Sequence, residues 1–167
     1  MHQGDEAAFD EFVSARTSAL ARTAYLLTGD AQLAEDLVQT ALLQTARNWH
    51  RIHTTPEAYA RRILYTQNIS WWRRRRLTEV PLAEYDAPQA ASDPDLRLSL
   101  EQALARLTPK QRTVLVLRYF EDLTEVQAAA ALGVSPGTVK SNTRQALQRL
   151  RVLAPELADL VGAGEQS

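Results

Sequence analysis

The sequence predicts an all-α protein made of two small helical domains joined by a linker. Three observations carry that prediction. Apolar residues recur at helical spacing along nearly the whole chain, and no strand-like alternation outlasts four residues. Helix-starting signals recur at Thr55-Pro56, Thr108-Pro109, Thr124 with Gln127, and Ser135-Pro136. Between these segments, residues 77–94 carry Pro81, Pro88 and Pro94 among acidic residues without any period, the composition of a flexible linker. The expected organisation is a first domain over 1–76, a linker over 77–94, a second domain over 95–154 and a tail over 155–167. Each domain has fewer than 80 residues and therefore only a modest core.

The elements follow in order. A first helix is expected from about Asp5 to Leu27, with Phe9, Phe12/Val13, Leu20, Ala24 and Leu27 on one stripe. Thr28-Gly29-Asp30 ends it, with Gly29 suited to the left-handed position after a helix and Asp30 to the next N-cap. A second helix runs to about Trp49 with Leu33, Leu37, Ala41 and Thr45 inward. His50–Thr54 is a loop, and Thr55-Pro56 opens a third helix through Ile63 and Trp71 to Arg73–Arg76. Beyond the linker, Pro94/Asp95 to Leu107 carries Leu96, Leu100, Leu104 and Leu107. Thr108 opens a helix to about Phe120, Thr124 a short Ala-rich helix to Leu132, and Ser135-Pro136 a final long helix to about Leu153. Val161–Ser167 reads as disordered.

Composition removes whole classes of function. The absence of cysteine excludes disulfides, zinc–cysteine sites and thiol nucleophiles. The longest apolar runs fall far short of the ~20 residues that span a bilayer, and Met1–Glu6 lacks the basic and apolar regions of a signal peptide. A cytoplasmic protein without membrane insertion is expected. No Ser/His/Asp set, glycine-rich phosphate loop or carboxylate pair stands out, so neither an enzyme nor a cofactor site is expected. His50 and His53 have no third ligand in reach, so no metal site is expected.

The 19 Lys+Arg and 20 Asp+Glu sum to −1, which taken alone argues against a nucleic-acid partner. By segment, however, the net charge is −5 over 1–46, +7 over 47–76, −4 over 77–107, +4 over 108–151 and −3 over 152–167. Two basic blocks separated by an acidic stretch suggest distinct partners for the parts of the chain, and make merely solvated Arg-rich helix faces the weaker reading.

The strongest local pattern spans Glu125–Arg144: a short helix, a turn at Gly133, and a longer helix. This is helix-turn-helix spacing. Ala129 is small where the helices approach, and Leu132, Val134 and Val139 are expected to fill the shared core. On the final helix Val139, Thr143, Ala146 and Leu150 turn inward. Lys140, Arg144, Gln148 and Arg151 share an outward stripe, with Ser141 and Gln145 beside it and no acid among them. Such side chains donate to phosphates or base edges in a major groove. On this motif alone, a stand-alone helix-turn-helix regulator remains an alternative.

Longer stretches narrow the choice. Leu107-Thr-Pro-Lys-Gln-Arg-Thr-Val-Leu-Val-Leu-Arg-Tyr-Phe-Glu-Asp-Leu-Thr124, followed by Leu132–Ser141, resembles region 4 of bacterial sigma factors. Asp30–Ala41 resembles region 2.2, and Pro56–Leu64 through Ser70–Arg74 resembles regions 2.3–2.4. The two regions in this order, with no region 3 between them, resemble the extracytoplasmic-function (ECF) group, and the Pro-Glu-Ala-Tyr and Ser-Trp-Trp-Arg-Arg stretches resemble its actinobacterial SigE subgroup.

The resemblance implies a factor that binds core RNA polymerase and directs it to promoters. Region 4 would grip the −35 element as duplex, with Lys140, Ser141, Arg144, Gln145 and Gln148 at groove-facing positions and Arg118 on a phosphate. Region 2 would bind the −10 element, mainly as melted strand, through a basic track. That track comprises Arg51, Arg61, Arg62, Thr66, Arg73 and Arg74, joined by Arg47, Arg75 and Arg76, with Trp49, Tyr59 and Tyr65 as nearby aromatics. The loop Asn48–Thr55 matches the element that captures a flipped base, and Thr66 stands where many members carry Asn. Glu35, Asp36 and Gln39 resemble the surface that docks on the β′ clamp helices of the polymerase, and region 4 would meet the β flap. An anti-sigma factor is a further partner implied by the resemblance.

Overall fold

The computed structural model of the chain describes residues 2–77 and 99–162, and every regular element among them is helical. Two compact units result, Met1–Ser70 and Trp71–Ser167.

The first unit is built from α1 (Gln3–Thr28), α2 (Ala31–Arg47) and most of α3 (Pro56–Leu77). Local chemistry sets the turns between them. Gly29 sits at φ 67, and its N–H closes α1 on the Tyr25 carbonyl. One residue later the Asp30 carboxylate accepts the Leu33 N–H at 3.0 Å, opening α2. A 3₁₀ turn at Trp49–Arg51 follows α2, and the Thr55 hydroxyl accepts the Ala58 N–H at 3.1 Å to start α3 behind Pro56. The core is Leu20, Ala24 and Leu27 of α1, Ala34, Val38 and Ala41 of α2, and Ala60, Ile63, Leu64 and Tyr65 of α3. Each fully buried leucine contributes about 1.5–3 kcal/mol.

The inward stripe of α2 differs from the expected one. Ala34 and Val38 are buried, whereas Leu33 and Leu37 are only half-buried. Small side chains let α1 and α2 approach closely, and the larger leucines are left to flank the seam. Buried threonines are satisfied within their own helices: Thr28 donates to the Ala24 carbonyl at 2.9 Å and Thr45 to the Ala41 carbonyl at 2.7 Å.

The second unit contains α4 (Leu100–Ala105), α5 (Pro109–Leu115), a π-helical turn (Val116–Phe120), α6 (Glu125–Leu132), α7 (Pro136–Leu153) and α8 (Pro155–Gly162). Three capping boxes punctuate it, Ser99/Gln102, Thr108/Gln111 and Thr124/Gln127. Leu77, expected as the first linker residue, still belongs to α3; the expected start of α4 at Pro94/Asp95, Leu96 and the rest of the linker reading lie outside the described residues, as does the reading of 163–167. Leu104, Leu107, Val114–Leu117, Ala128, Ala129, Val139, Ala146, Leu147 and Leu150 form the core.

Two sequence expectations need correction here. Val134 is 41% exposed instead of filling the helix-turn-helix core, because Gly133 at φ 67 turns the chain outward before Ser135 caps α7. Residues 155–162 are not tail: α8 forms behind Ala154 and packs back on α7. Pro155 at its first position is the signal that marks it.

Candidate nucleic-acid interface

The helix-turn-helix comes from local rules. The Thr124 hydroxyl accepts the Gln127 N–H at 3.1 Å, and the Gln127 side chain accepts the Thr124 N–H at 2.9 Å. Gly133 closes α6 on the Ala129 carbonyl, and the Ser135 hydroxyl accepts the Thr138 N–H at 3.2 Å. Ala128 and Ala129 are buried where α6 meets α7, so the two helices pack without bulk between them.

On α7, Val139, Thr143, Ala146 and Leu150 are buried, while Lys140, Ser141, Arg144, Gln145, Gln148 and Arg151 are all exposed. The structure brings the six predicted polar residues onto the solvent side of one helix. Neither Lys140 nor Arg144 enters an ion pair among the described residues, and α7 carries no acid. The stripe is not uniform, however. Leu147, which falls beside Lys140 and Arg151 by helical spacing, is only 7% exposed. The apolar boundary therefore swings across the wheel in the half of α7 near α8. The unbroken polar face is the amino-terminal half, Lys140–Gln145, the part of a recognition helix that meets base edges.

Two arginines of this basic block have internal roles. Arg112 is 1% exposed; its Nε donates to the Leu104 carbonyl at 2.9 Å and its Nη2 to the Ala105 and Leu107 carbonyls at 3.4 Å. It caps the carboxyl end of α4, where the helix dipole favours a cation. Sequence reasoning counted it as a surface charge, and only its three-dimensional return to α4 shows otherwise. Arg118 is half-buried in the π-helical turn. Its Nη1 donates to the Leu123 carbonyl at 2.6 Å, and its guanidinium lies 5.9 Å from the Tyr119 ring centroid. Asp122, at φ 53, turns the same loop. Arg118 thus ties down the segment leading into α6.

The first unit shows the same division. Arg51 is exposed on the 3₁₀ turn, and Arg62 and Thr66 are exposed on one face of α3, one turn apart. The Thr66 hydroxyl donates to the Arg62 carbonyl at 3.0 Å, with the Ile63 carbonyl at 3.3 Å, so its free capacity toward a base is as an acceptor. Arg74 is exposed, while the side chains of Arg73, Arg75, Arg76 and Trp72 lie outside the described residues. Arg61 is turned inward. It donates to the Thr23 hydroxyl at 2.8 Å and to Glu57 at 3.0 Å, and Glu57 also meets Arg16 at 3.3 Å.

The aromatic readings need correction too. Tyr65 is 5% exposed and belongs to the core, so it offers no face to a base. Trp49 is half-buried against Phe9 and Phe12, with ring centroids 5.5 and 6.0 Å away. Tyr59 is half-buried on α3.

On α2, Glu35, Asp36 and Gln39 are exposed, and Gln32 donates to Asp36 at 3.3 Å. Leu43, 51% exposed, continues the Asp36–Gln39 stripe one turn on. The polar pattern concealed it, although the spacing was legible. His50 meets Asp5 at 3.6 Å, and no cluster of three metal-binding side chains occurs among the described residues. No helix among them is long and apolar enough to cross a membrane.

Comparison with known proteins covers both units. Residues 12–78 match Sigma-70 region 2, and residues 97–150 match Sigma-70, region 4. The RNA polymerase sigma-E factor of Streptomyces avermitilis is 41% identical over 158 residues, spanning 90% of this chain and 87% of that protein. The ECF RNA polymerase sigma factor SigL of Mycobacterium tuberculosis is 34% identical, spanning 81% of this chain and 82% of its own. Among solved structures, the sigma factor RpoE in complex with the anti-sigma factor NepR from Bartonella quintana is similar with a TM-score of 0.64 and 25% identity, covering 87% of this chain and 96% of that one.

Proposed function

The chain belongs to the sigma-70 family of RNA polymerase sigma factors, in its ECF group, and from that premise we propose how its two units share the work of promoter recognition. As a sigma factor it binds core RNA polymerase and directs promoter-specific initiation. The observation that carries this is the pair of matches, region 2 over 12–78 and region 4 over 97–150, in one chain and in that order. A stand-alone helix-turn-helix regulator accounts for the second unit only and is set aside.

In the proposed division, the second unit holds the −35 duplex. Lys140, Ser141, Arg144 and Gln145 face the major groove from the open half of α7, and Gln148 lies farther along the same side. Arg118 supports α6 from within, and phosphate contact would use the donors that Leu123 leaves free. The first unit, with the end of α3 that runs beyond it, holds the melted −10 strand, with Arg51, Arg62, Arg73 and Arg74 on phosphates, Thr66 as an acceptor, and the loop 48–55 beside them. Arg61 keeps its place in the track only as the residue that fixes α3 against α1. Glu35, Asp36 and Gln39 meet the β′ clamp helices, with Leu43 as an apolar contact one turn beyond Gln39, while the second unit meets the β flap.

The chain is assigned no catalysis of its own and no cofactor, since RNA synthesis is the polymerase's chemistry. Action in the cytoplasm follows from that partnership. An anti-sigma factor is proposed as a further partner, supported by the likeness to a sigma factor solved with one.

Run-off transcription with core polymerase plus this protein on genomic fragments tests the proposal. Discrete start sites that require the added chain are expected. A stable complex with core that yields no specific starts would overturn it. In the same assay, Asp36→Arg is expected to weaken core association about tenfold (~1.4 kcal/mol) while the far-ultraviolet circular dichroism stays helical. Wild-type affinity would remove Asp36 from the interface.

A further inference from the structure

The loop between α2 and α3 has eight residues, Asn48–Thr55, and its two halves are held very differently. The first half is anchored. The Asn48 side chain donates to the Gln44 carbonyl at 2.9 Å, and the Arg51 N–H donates to the Asn48 carbonyl at 2.7 Å. Trp49 stands edge-on to Phe9 at 5.5 Å with planes 88° apart, and Phe12 lies 6.0 Å away. His50, the next residue, meets the Asp5 carboxylate at 3.6 Å and sets its ring across that of His2 at 6.2 Å. Two successive loop residues therefore clasp the first three turns of α1. The second half is held at its end, where Thr55 caps α3 through the Ala58 N–H at 3.1 Å, and no contact to α1 is seen from it among the described residues: Arg51, His53, Thr54 and Thr55 are exposed and Ile52 is half-buried.

Asp5 and Phe9 precede the segment that matches region 2, which begins at residue 12. Both are half-buried, lie outside the unit's deepest core, and carry none of the basic charge assigned to DNA. Apart from Phe12 of α1 itself, 6.4 Å from Phe9, their visible side-chain partners are the loop residues. A loop whose tip must present side chains to one base needs its stem fixed, because each unfixed residue spreads the tip over more conformers and lowers the share that is competent to bind.

We propose that the first three turns of α1 position the loop 48–55, so that base preference in the melted −10 strand depends on Asp5 and Phe9 acting through His50 and Trp49. Asp5, Phe9 and Trp49 are positioning residues, and Arg51–Thr54 form the reading tip. The inference rests on the assignment of this loop to the −10 strand.

The test uses holoenzyme, the full chain bound to core polymerase. The probes are single-stranded oligonucleotides carrying the −10 segment of a promoter selected by wild-type run-off, with each base substituted in turn. Phe9→Ala and Asp5→Ala are expected to reduce discrimination about tenfold or more at one position of the segment. Preference at the other positions and core affinity should stay within twofold. Phe9→Leu, which restores bulk against Trp49, should recover most of the loss. Asp5→Ala removes one half-buried contact and keeps the test open should Phe9→Ala unfold the unit, which a melting curve reports. Equal loss at every position together with loss of core binding would mean general destabilisation and overturn the inference. Unchanged discrimination in Asp5→Ala and Phe9→Ala, while Arg51→Ala or Thr54→Ala abolishes it, would overturn the positioning role and leave the loop assignment standing. Unchanged discrimination in all four variants would overturn both.

Discussion

The two basic regions of this protein use arginine in two ways, and each region contains both. In the second unit Arg112 is sealed beneath three carbonyls at the end of α4, whereas Arg144 on α7 stands in solvent without an ion pair among the described residues. In the first unit Arg61 is bound to Thr23 and Glu57, while Arg62, its immediate neighbour in sequence, is exposed. One position along a helix turns a side chain by about 100°, enough to convert a surface cation into an internal tie. Block charges of +7 and +4 thus overstate what faces DNA by at least one arginine in each block among the described residues. The units also differ. Arg112 is 1% exposed and donates to carbonyls, while Arg61 is part-exposed beside the Glu57 carboxylate, so the former is the more costly to lose.

That difference orders the expected effects. Arg112→Ala removes the donor to three carbonyls, of which Leu104 keeps the Leu107 N–H at 3.1 Å, and at about 1–3 kcal/mol for each of the two left unsatisfied the cost is at least about 2 kcal/mol. The melting temperature of the second unit should fall by more than about 10 °C, followed by circular dichroism, while the first unit keeps its own transition. A loss of only a degree or two would mean that Arg112 is not the tie between α4 and α5. Arg144→Ala should cost about 1–3 kcal/mol of promoter discrimination, read as a tenfold or greater loss of run-off product, with melting unchanged. A matching loss of stability would move Arg144 into the class of Arg112. Arg61→Ala removes two partly buried contacts and should destabilise the first unit by about 1–2 kcal/mol, with Arg62→Ala leaving its melting curve alone. Equal melting shifts for these neighbours would erase the contrast drawn between them. Thr108→Ala removes one cap and should cost about 1 kcal/mol, the smallest effect, detectable as a shift of several degrees in the second unit only.

The sequence made legible whatever is decided within four residues. The capping boxes at Thr108 and Thr124, the left-handed turns at Gly29 and Gly133, the Asp30 cap and the faces of α7 all depend on near neighbours, and all occur as expected. What escaped depends on chain that returns from farther away. The hydrogen bonds of Arg112 reach back five to eight residues across a helix junction, Arg61 meets Thr23 on another helix, and Tyr65 and Trp49 lose their faces to packing that no local pattern announces. The shift from Leu33 and Leu37 to Ala34 and Val38 on α2 has the same origin, since the choice of face is made by α1. Helix α8 is a different kind of omission, because Pro155 behind Ala154 was a local signal. The candidate site was accordingly clear as a set of faces and less clear as a set of free side chains.

The central claim is that the two units read two physically different forms of DNA. It is tested most directly by measuring holoenzyme affinity for two separate probes from one selected promoter, a duplex carrying the −35 element and a single strand carrying the −10 element. Arg144→Ala should weaken the duplex probe about tenfold or more and leave the single strand unchanged, while Arg62→Ala should weaken the single strand and spare the duplex. Equal weakening of both probes by each variant would mean that the two basic faces supply only undivided positive charge, and would contradict the division.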